Sequence, residues 1–121
     1  MTKLQLAKIR QEVRALKARR TTFEYVAMQP HTLLAASLLE RRFRPNAPPA
    51  YYLSVPTPQG SRHRYVRATD LPMARRQTAA WRELSQAMAQ WVRVNAEIER
   101  LLRLLGKGRC RKMELPPRKA R

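Results

Sequence analysis

Apolar and polar positions alternate along this chain with two distinct periods. Near the start, Leu6, Ile9, Val13 and Leu16 step by 3, 4 and 3, a heptad seam that predicts a helix over residues 3–20. Lys3, Lys8, Arg10, Arg14, Lys17, Arg19 and Arg20 surround that seam. A helix of this length is marginal by itself, so it needs a packing partner. Over residues 30–43, Pro30 suits a first helical turn, and Leu33, Leu34, Leu38 and Leu39 supply an apolar face. Glu40, Arg41 and Arg42 close that stretch with charge, and a second short helix is predicted there. Pro45, Pro48 and Pro49 then force residues 44–50 into an extended loop. After the loop the period changes to two. Tyr51, Leu53 and Val55 share one face, residues 56–60 are turn types ending in Gly60, and residues 61–67 are again β-prone. The pattern predicts a β-hairpin over about 51–67, which must pack on a helix because two strands are marginal alone.

The longest element follows. Thr69 and Asp70 offer an N-cap, Pro72 fits the first turn, and helix formers continue to Leu105, where Gly106 is a natural stop. Trp81, Leu84, Met88, Trp91, Asn95, Ile98, Leu102 and Leu105 step alternately by 3 and 4, a coiled-coil-like seam. Asn95 is the single polar residue in it, a type that lowers stability but fixes register and partner number. The N-terminal helix is expected to pair with part of this seam, or two long helices to pair between chains. The expected fold class is therefore mainly α with one β-hairpin (α+β). Residues 1–105 read as one small helical domain with the hairpin inserted, and residues 106–121 as a basic, flexible, disordered tail.

Charge sharpens this picture. The 121 residues hold 26 Lys+Arg against 8 Asp+Glu, a net charge of +18, and 20 of the 26 bases are arginine. Such an excess repels itself in the compact state and attracts polyanions. Arginine pairs bidentately with phosphate and stacks on bases, whereas lysine is a point charge. The expected partner is DNA or RNA, contacted through the phosphate backbone without catalysis. A hydrophobic content of 44% supplies a core, and aromatics at 7% keep it thin. No apolar run approaches about 18 residues, so no membrane span is expected. The N-terminal stretch has no continuous apolar run and does not read as a secretory signal. One cysteine, Cys110, leaves no internal disulfide and no cysteine cluster, and a cytoplasmic location, with the nucleoid or a nucleoprotein complex, is expected.

The candidate nucleic-acid contacts fall in four groups. Arg41, Arg42 and Arg44 end the second predicted element. Arg62, Arg64 and Arg67 lie on the hairpin beside Tyr51, Tyr52, Tyr65 and His63, an interleaving of bases and aromatics suited to phosphates or base stacking. Arg75 and Arg76 open the long helix. Lys107, Arg109, Arg111, Lys112, Arg118, Lys119 and Arg121 form a basic arm. These clusters are expected to converge on one basic face. No catalytic, cofactor-binding or metal-binding residue is identified, and no small-molecule substrate or enzyme activity is expected. His31 and His63 have no carboxylate or cysteine at ligand spacing, Cys110 has no histidine nearby in sequence, and no phosphate loop or nucleophile elbow occurs. The alternative function is a coiled-coil interaction or dimerisation module. There the heptad seam specifies a homodimer or a partner helix, and the positive charge meets an acidic protein.

The segments Ser37-Leu38-Leu39-Glu40-Arg41-Arg42, Ala50-Tyr51-Tyr52-Leu53-Ser54, Arg64-Tyr65-Val66, Leu71, Arg75-Arg76 and Trp81-Arg82-Glu83-Leu84 resemble a family of short uncharacterised bacterial proteins. That family shows an "SLxER" segment, a "YYxLS" hairpin ending in "RYV" and a long C-terminal helix, and the likeness covers roughly residues 33–105. Its members often accompany mobile elements, which implies nucleic-acid work. The family's cysteine cluster, of the type CGKxxCxC, falls where this chain has FRPNAPP at residues 43–49, so no metal role carries over. The resemblance assigns no activity to any residue.

Overall fold

The computed structural model describes residues 1–118. Five elements follow one another: α1 (Lys3–Ala27), β1 (Ser37–Arg41), β2 (Ala50–Thr57), β3 (Gly60–Val66) and α2 (Leu71–Gly108). The fold class is α+β with a long C-terminal helix, about 57 Å at 1.5 Å per residue. The chain divides into two compact units, one from Met1–Thr22 with Val92–Arg121 and one from Phe23–Trp91.

The first unit is an antiparallel helix pair. Ile9 and Val13 of α1 and Val94, Ile98 and Leu101 of α2 are buried, Leu101 to 2% exposure. Leu6 and Leu16 are half-buried, as the α1 seam predicts. Met1 and Leu6 approach Gly108 so closely that a Cβ there would lie 2.7 Å from the Met1 sulfur. Further along the pair, Arg20 donates from Nη1 to Asn95 Oδ1 at 3.2 Å. The polar seam residue therefore finds its partner within the same chain.

The α2 seam itself is rotated from the predicted one. Leu84, Trp91, Ile98 and Leu105 point inward as expected, but the alternate positions are Ala87, Val94 and Leu101. Trp81, Met88 and Leu102, expected inside, are 38%, 36% and 46% exposed. The sequence pattern favours the larger side chains, whereas the buried stripe admits smaller ones one position earlier. Gly106 does not stop the helix. Its φ is not positive, and α2 continues to Gly108, closing with three-residue bonds from Arg109 N to Gly106 O and Cys110 N to Lys107 O.

The second unit contains the sheet. Residues 30–43 form no helix: residues 29–36 are irregular, and Ser37–Arg41 is a strand. Its leucines pair across the sheet, Leu38 with Leu53 and Leu39 with Tyr52, and these distant partners outweigh local helix preference. The sheet is antiparallel in the order β1-β2-β3. The hairpin is tighter than predicted. Pro56 and Thr57 belong to β2, Thr57 pairs with Gly60, and only Pro58 and Gln59 turn. Pro56 is tolerated because β1 reaches only to Ser54, which leaves β2 an edge strand on that side. Gly60 has φ 111°, a region L side chains rarely enter, and the Thr57 hydroxyl donates to its carbonyl.

Register divides the sheet into two faces. Leu38, Glu40, Tyr51, Leu53, Val55, Arg62, Arg64 and Val66 share one. This face meets the start of α2. Val66, Ala74 and Thr78 are buried, and the Thr78 hydroxyl donates to Ala74 O at 2.8 Å. Ala36 is buried as well, and Leu34 N donates to Gln77 O at 3.1 Å, tying the irregular segment to the helix. The other face carries Ser37, Leu39, Arg41, Tyr52, Ser54, His63 and Tyr65.

Candidate nucleic-acid interface

The arginines of the second unit divide between the two sides of the sheet, most on the helix-facing side and Arg41 on the other. Arg62 and Arg64 lie on the helix-facing side, and Arg64 lines an open cleft of about 470 Å³ with Leu53, Asp70, Met73 and Gln77. Arg67 borders the same cleft. Arg75 stands over the Tyr51 ring, 5.0 Å from its centre. Tyr51 is thus a packing residue on the inner face, and the cation opening α2 rests on its ring while staying exposed to solvent. Arg76 lines a second open cleft, of about 510 Å³, with His31, Gln77 and Glu83.

The β1 arginines are separated too. Arg41 goes to the outer face, its guanidinium 5.5 Å from the Tyr52 ring centre. Arg42 turns back on its own segment, pairing with Glu40 at 3.3 Å and donating to Ala47 O at 3.2 Å. Arg44 is exposed in the proline loop, and its carbonyl accepts from Ala47 N. Tyr52 and Tyr65, opposite one another in the register, meet edge to face with centres 5.6 Å apart and planes at 67°.

In the helical unit, Lys107, Arg109, Arg111, Lys112 and Arg118 are all exposed. Lys119 and Arg121 lie outside the described residues. Sequence reasoning left the cations of α1 out of the interface. Lys3, Arg10, Arg14 and Lys17 are exposed and recur at offsets of 7, 11 and 14 residues, which places them along one flank of the helix over about 21 Å. The signal is present in the sequence as spacing. It becomes meaningful once Ile9 and Val13 are seen to face α2, which leaves that flank to solvent.

Acids in this unit are few, and two of the four are engaged by arginines of α2. Arg100 donates to both Glu97 oxygens, at 3.0 and 2.6 Å, and Arg103 donates twice to Glu99 Oε1, at 3.2 and 2.9 Å. The Arg100 hydrogen bonds hold the Glu97 carboxyl below its ordinary range, assisted by the Arg100 charge. Arg100 is raised in turn by Glu97 and also feels Glu12 of α1.

Cys110 is exposed, its thiol directed at Gly106 O at 3.4 Å. Among the described residues, no three of His, Cys, Asp and Glu gather as metal ligands. No helix among them is long and apolar enough to cross a membrane. No family model matches the chain, and neither a curated protein nor a solved structure matches it significantly.

Proposed function

We propose that this protein binds nucleic acid without catalysis, chiefly through phosphate contacts, as an accessory subunit of a nucleoprotein complex. The observation that carries the reading is the distribution of charge. The helical unit holds 17 Lys+Arg against four Asp+Glu, a net +13, and the sheet unit nine against four, a net +5. At least 13 cations of the helical unit therefore have no acid of their own unit to neutralise them. Cations spaced along a helix flank suit a polyanion with regularly spaced charges better than a single acidic side chain. The place of such a protein is the cytoplasm, on nucleic acid. A mobile-element complex is the setting suggested by the resemblance of the Ser37–Arg42 and Ala50–Ser54 segments.

The test is titration of a labelled duplex at several salt concentrations. If about six phosphates are engaged, log K falls with log salt at a slope near −5. Replacing Lys3, Arg10, Arg14 and Lys17 together by Gln is expected to flatten that slope by about 3–4. A salt-independent affinity, or no binding, overturns the reading.

A second reading, a helix-docking module, is favoured by one observation: Val92 and Leu102 remain 60% and 46% exposed on α2. It has less support, because α1 of the same chain already covers the Val94, Ile98 and Leu101 stripe. Light scattering separates the two. A dimer disrupted by Leu102→Glu supports the docking module, and a monomer across the micromolar range weakens it strongly.

A further inference from the structure

We propose that the outer face of the sheet is a base-stacking platform, which makes the protein a binder of single-stranded nucleic acid there. The proposal rests on the nucleic-acid reading and narrows it to a site and a strand state. Leu39, Tyr52 and Tyr65 form one row across all three strands, as their register requires. With strands about 4.8 Å apart, the row spans about 10 Å, room for one or two bases. Tyr65 at its end is 59% exposed, and Arg41 and His63 beside the row are exposed as well.

The chemistry of this face points to a nucleic acid more than to a protein. No carboxylate lies on it, since Glu40 projects to the opposite side. Its cation is the planar guanidinium of Arg41, already 5.5 Å from the Tyr52 ring and open to solvent on its other side. Such a group both stacks on a base and pairs with a phosphate. The edge-to-face contact of Tyr52 with Tyr65 holds the rings at 67°, so an incoming base has a fixed edge and a fixed face to meet. Ser54 and His63, adjacent on the same face, add hydrogen-bonding groups.

One feature of composition agrees. All six lysines of the chain lie in the helical unit, and all nine cations of the sheet unit are arginine. A need for stacking cations beside tyrosines, as at Arg41 and Arg75, fits that segregation. Strand state follows from geometry. In a duplex the base faces are covered by neighbouring bases, so only an unpaired strand can offer them to a row of side chains.

The experiment compares three labelled probes on the full chain: an oligothymidylate of about 15 nucleotides, an abasic strand of the same length, and a duplex of the same length. The wild-type protein is expected to bind the oligothymidylate about 5- to 150-fold more tightly than the abasic strand, the span of one stacked base. Tyr65→Ala should remove that preference while leaving the abasic and duplex affinities unchanged, and Tyr65→Phe should retain it. Arg62→Ala, on the opposite face, should leave the ratio intact. Equal binding of oligothymidylate and abasic strand by the wild type overturns the platform but leaves phosphate binding standing. So does a Tyr65→Ala loss shared equally by all three probes. Failure to bind any probe overturns this inference and the proposed function together. The wild-type comparison needs no variant to fold.

Discussion

The helical unit and the sheet unit bury different kinds of residue and present different kinds of charge. In the helical unit the core is Ile9, Val13, Val94, Ile98 and Leu101, and its surface mixes lysine with arginine. In the sheet unit the buried residues are Ala36, Val66, Ala74, Thr78 and Ala87, and its cations are all arginine, two of them resting on tyrosine rings. Branched aliphatic side chains interlock two helices with little help from polar groups. Small residues let a sheet face and an irregular segment lie close to a helix, and backbone bonds such as Leu34 N to Gln77 O complete the attachment. The difference teaches that charge of one sign is displayed in two ways here. Lysine and arginine on the helix flank offer charge regardless of orientation, whereas Arg41 and Arg75 of the sheet unit offer planes set against aromatic rings.

The core contrast is broken or upheld most strongly by truncation. Leu101→Ala removes a side chain only 2% exposed from the centre of the helix pair, and the expected cost is about 2–5 kcal/mol by denaturant unfolding. Ala87→Gly, at a comparably buried position of the sheet unit, should cost about 1 kcal/mol, mostly through helix propensity. Similar losses at the two sites would mean that the helical unit does not rest on aliphatic packing as described.

A smaller effect tests the sheet unit through its turn. Gly60→Ala adds a Cβ that meets nothing within 4 Å, so any cost is conformational. At φ 111° the expected loss is about 1–2 kcal/mol, read from the unfolding midpoint. An unchanged midpoint would show that the hairpin relaxes to a looser turn, closer to the five-residue one that Pro56 to Gly60 suggest in sequence.

What could be read from the chain follows the range of the forces involved. The long helix was legible because its signals are local: Asp70 and Pro72 at the start and an unbroken run of helix formers. That α1 needs a helical partner was legible in the 3–4 spacing of Leu6, Ile9, Val13 and Leu16, but not that the partner lies in the same chain. The end of α1 was not legible either. Residues 21–27 contain β-branched and aromatic types that weaken helix propensity, yet the helix continues to Ala27. Phe23 and Val26 are half-buried there, and Val26 lines a small cavity with Leu33 and Leu84, a tertiary gain that has no local trace. β1 failed for the same reason, since Leu38 and Leu39 are good helix formers whose strand partners, Leu53 and Tyr52, lie more than ten residues away. At the candidate interface, the residue types beside Tyr52 and Tyr65 were visible in sequence. Which arginine reaches them was not, because that depends on β1 being a strand, which puts Arg41 rather than Arg62 or Arg64 on their face.

The smallest expected effect concerns the acids of the cation-rich unit. Glu97 is held as a carboxylate by two hydrogen bonds from Arg100, so its folded-state titration lies below that of the unfolded chain. A group shifted in that direction stabilises the fold fully above the ordinary carboxylate range, near pH 4–5. Its contribution then fades as pH falls through the depressed folded value. The pair is solvent-exposed, so the contribution is small and screened by salt. Glu97→Gln should therefore lower Tm slightly at pH 7 and low salt, and the gap from wild type should close toward pH 3. The sheet unit supplies the control. Glu40 pairs with Arg42 at 3.3 Å by one contact rather than two, so Glu40→Gln should produce a narrower gap under the same conditions. A Glu97 gap that persists at pH 3 would mean that the side chain acts through packing rather than charge. Glu97 would then do nothing to relieve the mutual repulsion of the 17 cations in its unit.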